Sequence, residues 1–222
     1  EIGMDAARVL RALGYGVDLA PAVCCGFPSA NGGFSRAARK SYRGLIEAIG
    51  SSATVVTLCP TCTTMLGHAG PELAGEDAAG PAGKIVSFAE FIETREKKGL
   101  ARILKKEKAA ARLTYHESCH HKYFLKASGA TRSVLEAATG GKILDMPETA
   151  TCCGFAGGFS VDHPEISAAL LEEKLDAIRE TGAGEVGLDC PGCLLQIRGG
   201  CRRQGLDVDV RHTAQILASR LK

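Results

Sequence analysis

The residues of this chain best suited to chemistry are its cysteines. Ten occur in 222 residues, and all but Cys201 belong to a pattern that is repeated once. The first copy runs Cys24-Cys25-Gly26-Phe27, then Gly32-Gly33-Phe34-Ser35, then Cys59-Pro60-Thr61-Cys62. The second runs Cys152-Cys153-Gly154-Phe155, then Gly157-Gly158-Phe159-Ser160, then Cys190-Pro191-Gly192-Cys193. Several matches in one order are the mark of two related halves. The second copy adds Cys119, giving Cys119, 32 residues, Cys152-Cys153, 36 residues, Cys190, two residues and Cys193. The first has Cys24-Cys25, 33 residues, Cys59, two residues and Cys62, and its fifth thiol would fall about nine residues ahead of Glu1. A fragment of a longer protein is therefore expected.

A Cys-x-x-Cys pair turns back on itself, so both sulfurs can face one metal centre. Adjacent cysteines in extended chain point to opposite sides and chelate a single ion poorly. They suit a polynuclear cluster, where each can ligate a different iron. The glycine after each pair permits unusual backbone angles and close approach to an inorganic core, and its N–H can soften the charge of thiolates. One Cys-x-x-Cys alone most often means structural zinc. Five thiols in this order, with a partial copy upstream, favour a redox metal cluster. Zinc stays open for either half, more so for the first with its four thiols, and bare dithiol–disulfide exchange is a third alternative. Cys201 reads as an ordinary free cysteine.

Histidines flank these positions. His120 and His212 are candidates for ligand, proton donor or hydrogen-bond donor to sulfur, whereas His116 and His121 read as structural or solvated. Phe27, Phe34, Phe155 and Phe159 read as core packing or shielding of the metal site.

The elements that must position these groups alternate between short β-branched runs and longer amphipathic ones. Strands are expected at Val17–Ala20, Thr54–Leu58, Ile85–Val86, Leu113–His116, Ile143–Met146, Val186–Leu188 and Val208–Arg211. Helices are expected at Met4–Leu13, Arg36–Ile49, Ser87–Glu96, Arg132–Thr139, Pro164–Thr181, Leu194–Arg203 and Thr213–Leu221, with Pro164 and Gly182 as punctuation. Such alternation predicts an α/β fold of two pseudo-repeated halves, each a mainly parallel sheet flanked by helices. The halves are placed at residues 1–96 and 113–222, with a connector at 97–112; Glu76–Lys84 reads as a surface loop. Nearly every patterned cysteine follows a predicted strand, and ligands of open parallel sheets bind beyond the carboxyl ends of the strands. Distant thiols should thus gather at one edge in each half.

The formal net charge is +2, so no strong field invites nucleic acid or a membrane surface. The basic run Lys97, Lys98, Arg102, Lys105, Lys106, Lys108 and Arg112 reads as a solvated connector, or else as a docking face for an acidic partner. No run of about 18 apolar residues could span a membrane. The cysteine pairs point to a reducing, cytoplasmic compartment, with any membrane association through partners. No dinucleotide fingerprint appears, since Gly14-Tyr15-Gly16 precedes a strand. Nor is there a ferredoxin-type cysteine run.

With these residues in view, the chain resembles the cysteine-rich (CCG) domain family. That family includes the cysteine-rich component of heterodisulfide reductase and the iron–sulfur components of lactate utilization, glycolate oxidase and anaerobic glycerol-3-phosphate dehydrogenase systems. The most specific stretch runs from Cys152-Cys153-Gly154-Phe155 through His163-Pro164-Glu165, Glu173-Lys174-Leu175, Thr181-Gly182-Ala183 and Cys190-Pro191-Gly192-Cys193-Leu194 to Gly199-Gly200 and His212. It looks closest to the lactate and glycolate oxidation members. The resemblance implies that Cys119, Cys152, Cys153, Cys190 and Cys193 hold a [4Fe–4S] cluster, noncubane in heterodisulfide reductase. It implies that Cys24, Cys25, Cys59 and Cys62 form a second site holding a [4Fe–4S] cluster, zinc or nothing. It further implies an electron-transfer module serving a flavin-containing dehydrogenase of 2-hydroxy acids or glycerol 3-phosphate, a ferredoxin-like cluster domain as neighbour, and quinone or another carrier as acceptor. Catalytic disulfide reduction and a zinc-stabilised assembly domain are the alternatives.

Overall fold

The computed structural model describes residues 1–21, 23–50, 54–75, 85–105, 112–147 and 152–222. The expected Glu76–Lys84 loop and residues 106–111 of the connector lie outside them.

Two small parallel sheets form, each covered by helices, so the fold is α/β as the alternation required. In the first sheet β1 (Val55–Thr57) pairs with β2 (Ile85–Ser87), Thr57 opposite Ser87. In the second, β4 (Glu185–Leu188) lies between β3 (Leu113–Tyr115) and β5 (Asp209–His212), with Leu188 opposite His212. Parallel pairing needs long crossovers, and helices supply them.

Before β1 come α1 (Ile2–Ala12), α2 (Phe27–Asn31) and α3 (Ser35–Ile49). Between β1 and β2, α4 (Pro60–Thr64) passes through a π-helical stretch, Met65–Ala69, into α5 (Gly70–Ala74). After β2 come α6 (Phe88–Arg95), capped by the Ser87 side chain, and α7 (Lys97–Ile103) within the basic run. A second π-helical stretch, His120–Leu125, and α8 (Ser128–Thr139) follow β3, and α9 (Phe159–Asp162) and α10 (Pro164–Thr181) precede β4. Lastly α11 (Pro191–Arg203) joins β4 to β5, and α12 (Thr213–Ser219) follows. α10 matches its expected bounds, with Pro164 in its first turn and Gly182 left-handed at its C-terminus (φ 62°). Proline costs nothing where the N–H has no helical partner, and glycine tolerates positive φ.

Two expected strands do not form. Val17–Ala20 is irregular; no described strand runs beside it, and the Arg11 guanidinium takes the Val17 carbonyl instead. Ile143–Met146 shrinks to one bridge, Thr114 with Leu144. The Thr114 hydroxyl caps the Leu144 carbonyl at 2.9 Å, using the acceptor that a longer ladder would need.

Each half has its own apolar cluster. One gathers Cys25, Tyr42, Leu45, Ile49, Met65 and Leu66; another gathers Cys153, Leu171, Leu175, Ile178, Leu188 and Cys193. A third core belongs to both halves. There Val9 and Leu10 of α1, Phe88, Phe91 and Ile92 of α6 and Leu100 of α7 pack with Val134 and Ala138 of α8 and Leu217 of α12. Burial at about 25 cal/mol per Å² of apolar surface makes such a seam a substantial tie. It fixes the carboxyl edges of the two sheets relative to one another. No helix is long and apolar enough to cross a membrane among the described residues.

Candidate metal centre

Both Cys-Pro-x-Cys segments are helix starts. Cys59 and Cys190 are extended residues at the N-caps of α4 and α11, and Pro60 and Pro191 occupy the first turns. Cys62 and Cys193 lie in those same turns, so each pair is folded toward one side. A helix N-terminus also carries partial positive charge, which suits thiolates.

The adjacent cysteines divide their work as the extended-chain argument predicts. Cys25 and Cys153 are buried and turn inward, while Cys24 is exposed and Cys152 half-buried. Gly26 N–H donates to Cys24 Sγ at 3.4 Å, and Gly154 N–H to Cys152 Sγ at 3.3 Å. The inner thiols meet the helix-start thiols. Cys62 Sγ is 3.4 Å from Cys25 Sγ, and Cys193 Sγ is 3.0 Å from Cys153 Sγ.

The two sets then join. The Cys59 thiol lies near enough to that of Cys62 in its own half and that of Cys190 in the other for each to act on its ionisation, as Cys190 and Cys193 do on one another. The thiols form one row of mutually interacting groups: Cys25, Cys62, Cys59, Cys190, Cys193, Cys153. The residues alone predict a gathering in each half; in the folded chain the two gatherings meet where His212 bridges Leu58 and Asp189. Cys119 is exposed at the side, close enough to Cys152 and Cys153 for their charges to act on it. Cys201 is buried in the second-half core, about two helical turns beyond Cys193 along α11.

Protons along the row are shared unequally. The Cys193 hydrogen bond lowers Cys153 to about 4, against the opposing effect of burial. The Cys62 hydrogen bond lowers Cys25 to about 7, and interaction with the Cys190 thiol, and with that of Cys62, lowers Cys59. Their partners rise in turn: Cys62 through Cys25 and Cys59, and Cys193 through Cys153 and Cys190. At Cys190 the neighbouring Cys193 thiol lowers the pKa, but the Cys59 thiol and burial outweigh it and push the thiol up to about 12. Thiolates are the metal-binding form, so loading this row would release protons.

Histidines clamp the row. Ala214 N–H donates to His212 Nδ1 at 3.1 Å, so the ring proton sits on Nε2. From there it reaches two carbonyls at 3.0 Å each, Leu58 before Cys59 and Asp189 before Cys190. His120 lies over the junction, with Nδ1 3.5 Å from Thr61 Oγ1 and 3.6 Å from Cys119 Sγ. Its ring stacks on Phe124 and meets Phe27 edge-on, both at 5.1 Å between centroids. Beneath lies a buried network in which Asp189 Oδ2 accepts from Thr131 (2.8 Å) and Tyr115 (3.1 Å) and pairs with His121 Nδ1 (3.3 Å). Phe27 and Phe155 pack against the cores, but Phe34, expected to shield, is 70% exposed.

His116 is the residue that sequence reasoning passed over. Its ring and the Cys153 and Cys193 thiols offer donor atoms all within 4.8 Å of one another, fully buried. Neither ring nitrogen has a hydrogen-bond partner among the described residues. The available signal was position: His116 directly follows β3, as the thiols follow their strands. A buried orphan nitrogen facing thiolates is what a site for a metal–sulfur group should contain, so the residues present fit such a group.

The family model of the CCG cysteine-rich domain matches residues 1–67 and 113–198, which carry both cysteine sets. The chain belongs to the CCG family. Among its relatives, lactate utilization protein A 1 of Bacillus mycoides (strain KBAB4) is 35% identical over 227 residues, 98% of this chain and 90% of the relative. Lactate utilization protein A of Bacillus cereus (strain B4264) is 35% identical over 232 residues, 99% of this chain and 93% of the relative. For a CCG protein, the clustered cysteine and histidine donors make a metal cluster the natural occupant.

Proposed function

We propose that this chain is an iron–sulfur electron-transfer module of a lactate-oxidising system, taking electrons from a flavin-containing 2-hydroxy-acid dehydrogenase and passing them toward quinone or another carrier. In this reading Cys119, Cys152, Cys153, Cys190 and Cys193 hold a [4Fe–4S] cluster, and Cys24, Cys25, Cys59 and Cys62 are the protein's contribution to a second site. Residues 1–96 and 113–222 are then the two metal-binding halves, with 97–112 between them. The observation that carries the reading is the meeting of the two thiol sets, whose Cys59 and Cys190 follow the two carbonyls that His212 bridges, because adjacent sites are what short-range electron transfer needs. The naming of the relatives supports lactate as the substrate of the wider system.

A bound iron–sulfur cluster supplies one-electron chemistry, which a flavin delivers and a carrier accepts. The chain's own part is to hold and tune. The N-termini of α4 and α11 and the Gly26 and Gly154 N–H groups offset thiolate charge, which raises a reduction potential. His212 fixes the spacing between Cys59 and Cys190. Burial of Cys25, Cys153 and Cys193 keeps solvent from the inner sulfurs.

The test is anaerobic reconstitution followed by iron and acid-labile sulfide analysis, then electron flow from a reduced lactate-oxidising flavoprotein to a quinone analogue. Iron and sulfide in similar amounts, with flow abolished in Cys153→Ser, is the expected result. Zinc without sulfide would sink the reading.

A further inference from the structure

Two buried donors beside the second-half thiols lack the acceptors that their burial demands. His116 is 1% exposed, with both ring nitrogens unpartnered. Lys174 of α10 is 2% exposed, and the partner of its ammonium is Met146 Sδ at 3.4 Å. Thioether sulfur is a weak acceptor, and no carboxylate pairs with Lys174 among the described residues. The charged groups that act most on it are the thiols of Cys153, Cys152 and Cys193, followed by the like charge of Lys122. An uncompensated ammonium in a protein interior is among the costliest groups to bury. The first half differs. The strongest influences on Cys25 and Cys62 are other thiols, burial and backbone amides, and the ionisable groups that feel Cys59 are the imidazoles of His120 and His121, with no lysine among them.

The geometry also distinguishes donation from ligation. Five thiols already serve the second half. An imidazole that bound metal through one nitrogen would leave an N–H stranded on the other. One that donates its N–H leaves only a bare lone pair, the less costly orphan. We propose that His116 and Lys174 are paired donors to the metal–sulfur group of the second half, His116 through a ring N–H to sulfur and Lys174 as its buried counter-cation, and that this asymmetry gives the second-half site the higher reduction potential. Electrons entering from a reduced flavin would then run from the first-half site to the second, one at a time and with no bond made or broken. Both residues are positioning residues, acting through the thiols and sulfide. The inference rests on the iron–sulfur reading above.

The test uses the full chain in both metal-free and anaerobically reconstituted forms. The second-half signal is identified in electron paramagnetic resonance as the one that Cys153→Ser abolishes, and its potential is read by redox titration. Lys174→Met, close in shape and neutral, is expected to lower that potential and to speed loss of its iron to a chelator several-fold, leaving the first-half signal in place. The same substitution should raise the melting temperature of the metal-free protein, because there burial costs the ammonium more than the neighbouring thiols return. A merely structural lysine would lower both. His116→Phe should lower the potential in the same direction; if it does not fold, Lys174→Met still decides. An unchanged second-half potential, a second-half potential below that of the first half, or a less stable metal-free Lys174→Met would overturn the proposal. Wild-type protein that takes up no iron and sulfide is a different failure, that of the iron–sulfur reading itself.

Discussion

His212 donates from Nε2 to the Leu58 carbonyl, 3.0 Å away and across the boundary between the halves. The same N–H serves Asp189 of its own half, so one proton spans the residues preceding Cys59 and Cys190. His212→Ala would leave both carbonyls and the Ala214 N–H without this partner in a site where the ring is 1% exposed. A buried polar group left unpaired costs about 1–3 kcal/mol. The expected result is a metal-free protein less stable by about 2–3 kcal/mol in urea titration, with metal retention reduced in both halves. Loss confined to the second half would mean that His212 does not set the spacing between the two.

Below this clamp, Asp189 and His121 form a buried pair that makes stability depend on pH. Burial pushes the Asp189 carboxyl up, but the hydrogen bond and charge of His121 outweigh it and hold it at about 2. Burial likewise pushes His121 down, and the hydrogen bond and charge of Asp189 raise it above 6.5. A depressed carboxylate contributes stability above its unfolded pKa of about 3.9 and loses it as pH falls toward the folded value. A raised histidine contributes fully below about 6.5 and loses its contribution as pH climbs through its folded value. The pair should therefore help the metal-free protein most between about pH 4 and 6.5. Asp189→Asn should cost about 3 kcal/mol at pH 6 and distinctly less at pH 8, measured by denaturant titration. Equal costs at the two pH values would refute the assignment.

Much of the sheet architecture could be read from the chain, for reasons visible in particular residues. Pro164 and Gly182 act locally, so the ends of α10 followed from two residues. The thiols after β1 and β4 sit at carboxyl edges because parallel pairing leaves that geometry little choice. What escaped was non-local. The π-helical turns at Met65–Ala69 and His120–Leu125 answer to packing, with no sequence signal of their own. The meeting of Cys59 with Cys190 depends on α1 packing against α12 in the shared core, a contact between the two ends of the chain. His116 looked like an ordinary core histidine until the folded chain placed its ring beside Cys153 and Cys193.

Cys153 and Cys201, both buried in the second half, should answer very differently to serine. Cys153 Sγ lies 3.0 Å from Cys193 Sγ in the row, whereas Cys201 sits 2% exposed among apolar side chains. Cys153→Ser is expected to eliminate second-half metal. Cys201→Ser should keep wild-type iron and sulfide while losing roughly 1 kcal/mol of stability from the buried hydroxyl. Metal analysis paired with thermal unfolding separates the two outcomes. A drop in iron for Cys201→Ser would show that the tenth thiol belongs to the site after all.

Gly154 and Gly157 both have positive φ, +80° and +61°, yet substitution by alanine should affect them unequally. A Cβ on Gly154 would meet the Ser167 carbonyl oxygen of α10 at 2.4 Å, while one on Gly157 would meet nothing within 4 Å. Gly157→Ala bears only the left-handed strain, about 1–2 kcal/mol. Gly154→Ala adds a backbone collision that must push the Cys152-Cys153 turn away from α10, for a total of roughly 3 kcal/mol or more. Gly26 stands in the same relation to the Ala38 carbonyl of α3, at 2.5 Å, so Gly26→Ala should mirror it in the first half. Because each glycine follows its cysteine pair, the collision also displaces the thiols. Chelator challenge should therefore strip metal faster from Gly154→Ala and Gly26→Ala, each in its own half, and leave Gly157→Ala at the wild-type rate. Equal rates in all three would show that the close approach of these turns to α10 and α3 has no part in holding the metal.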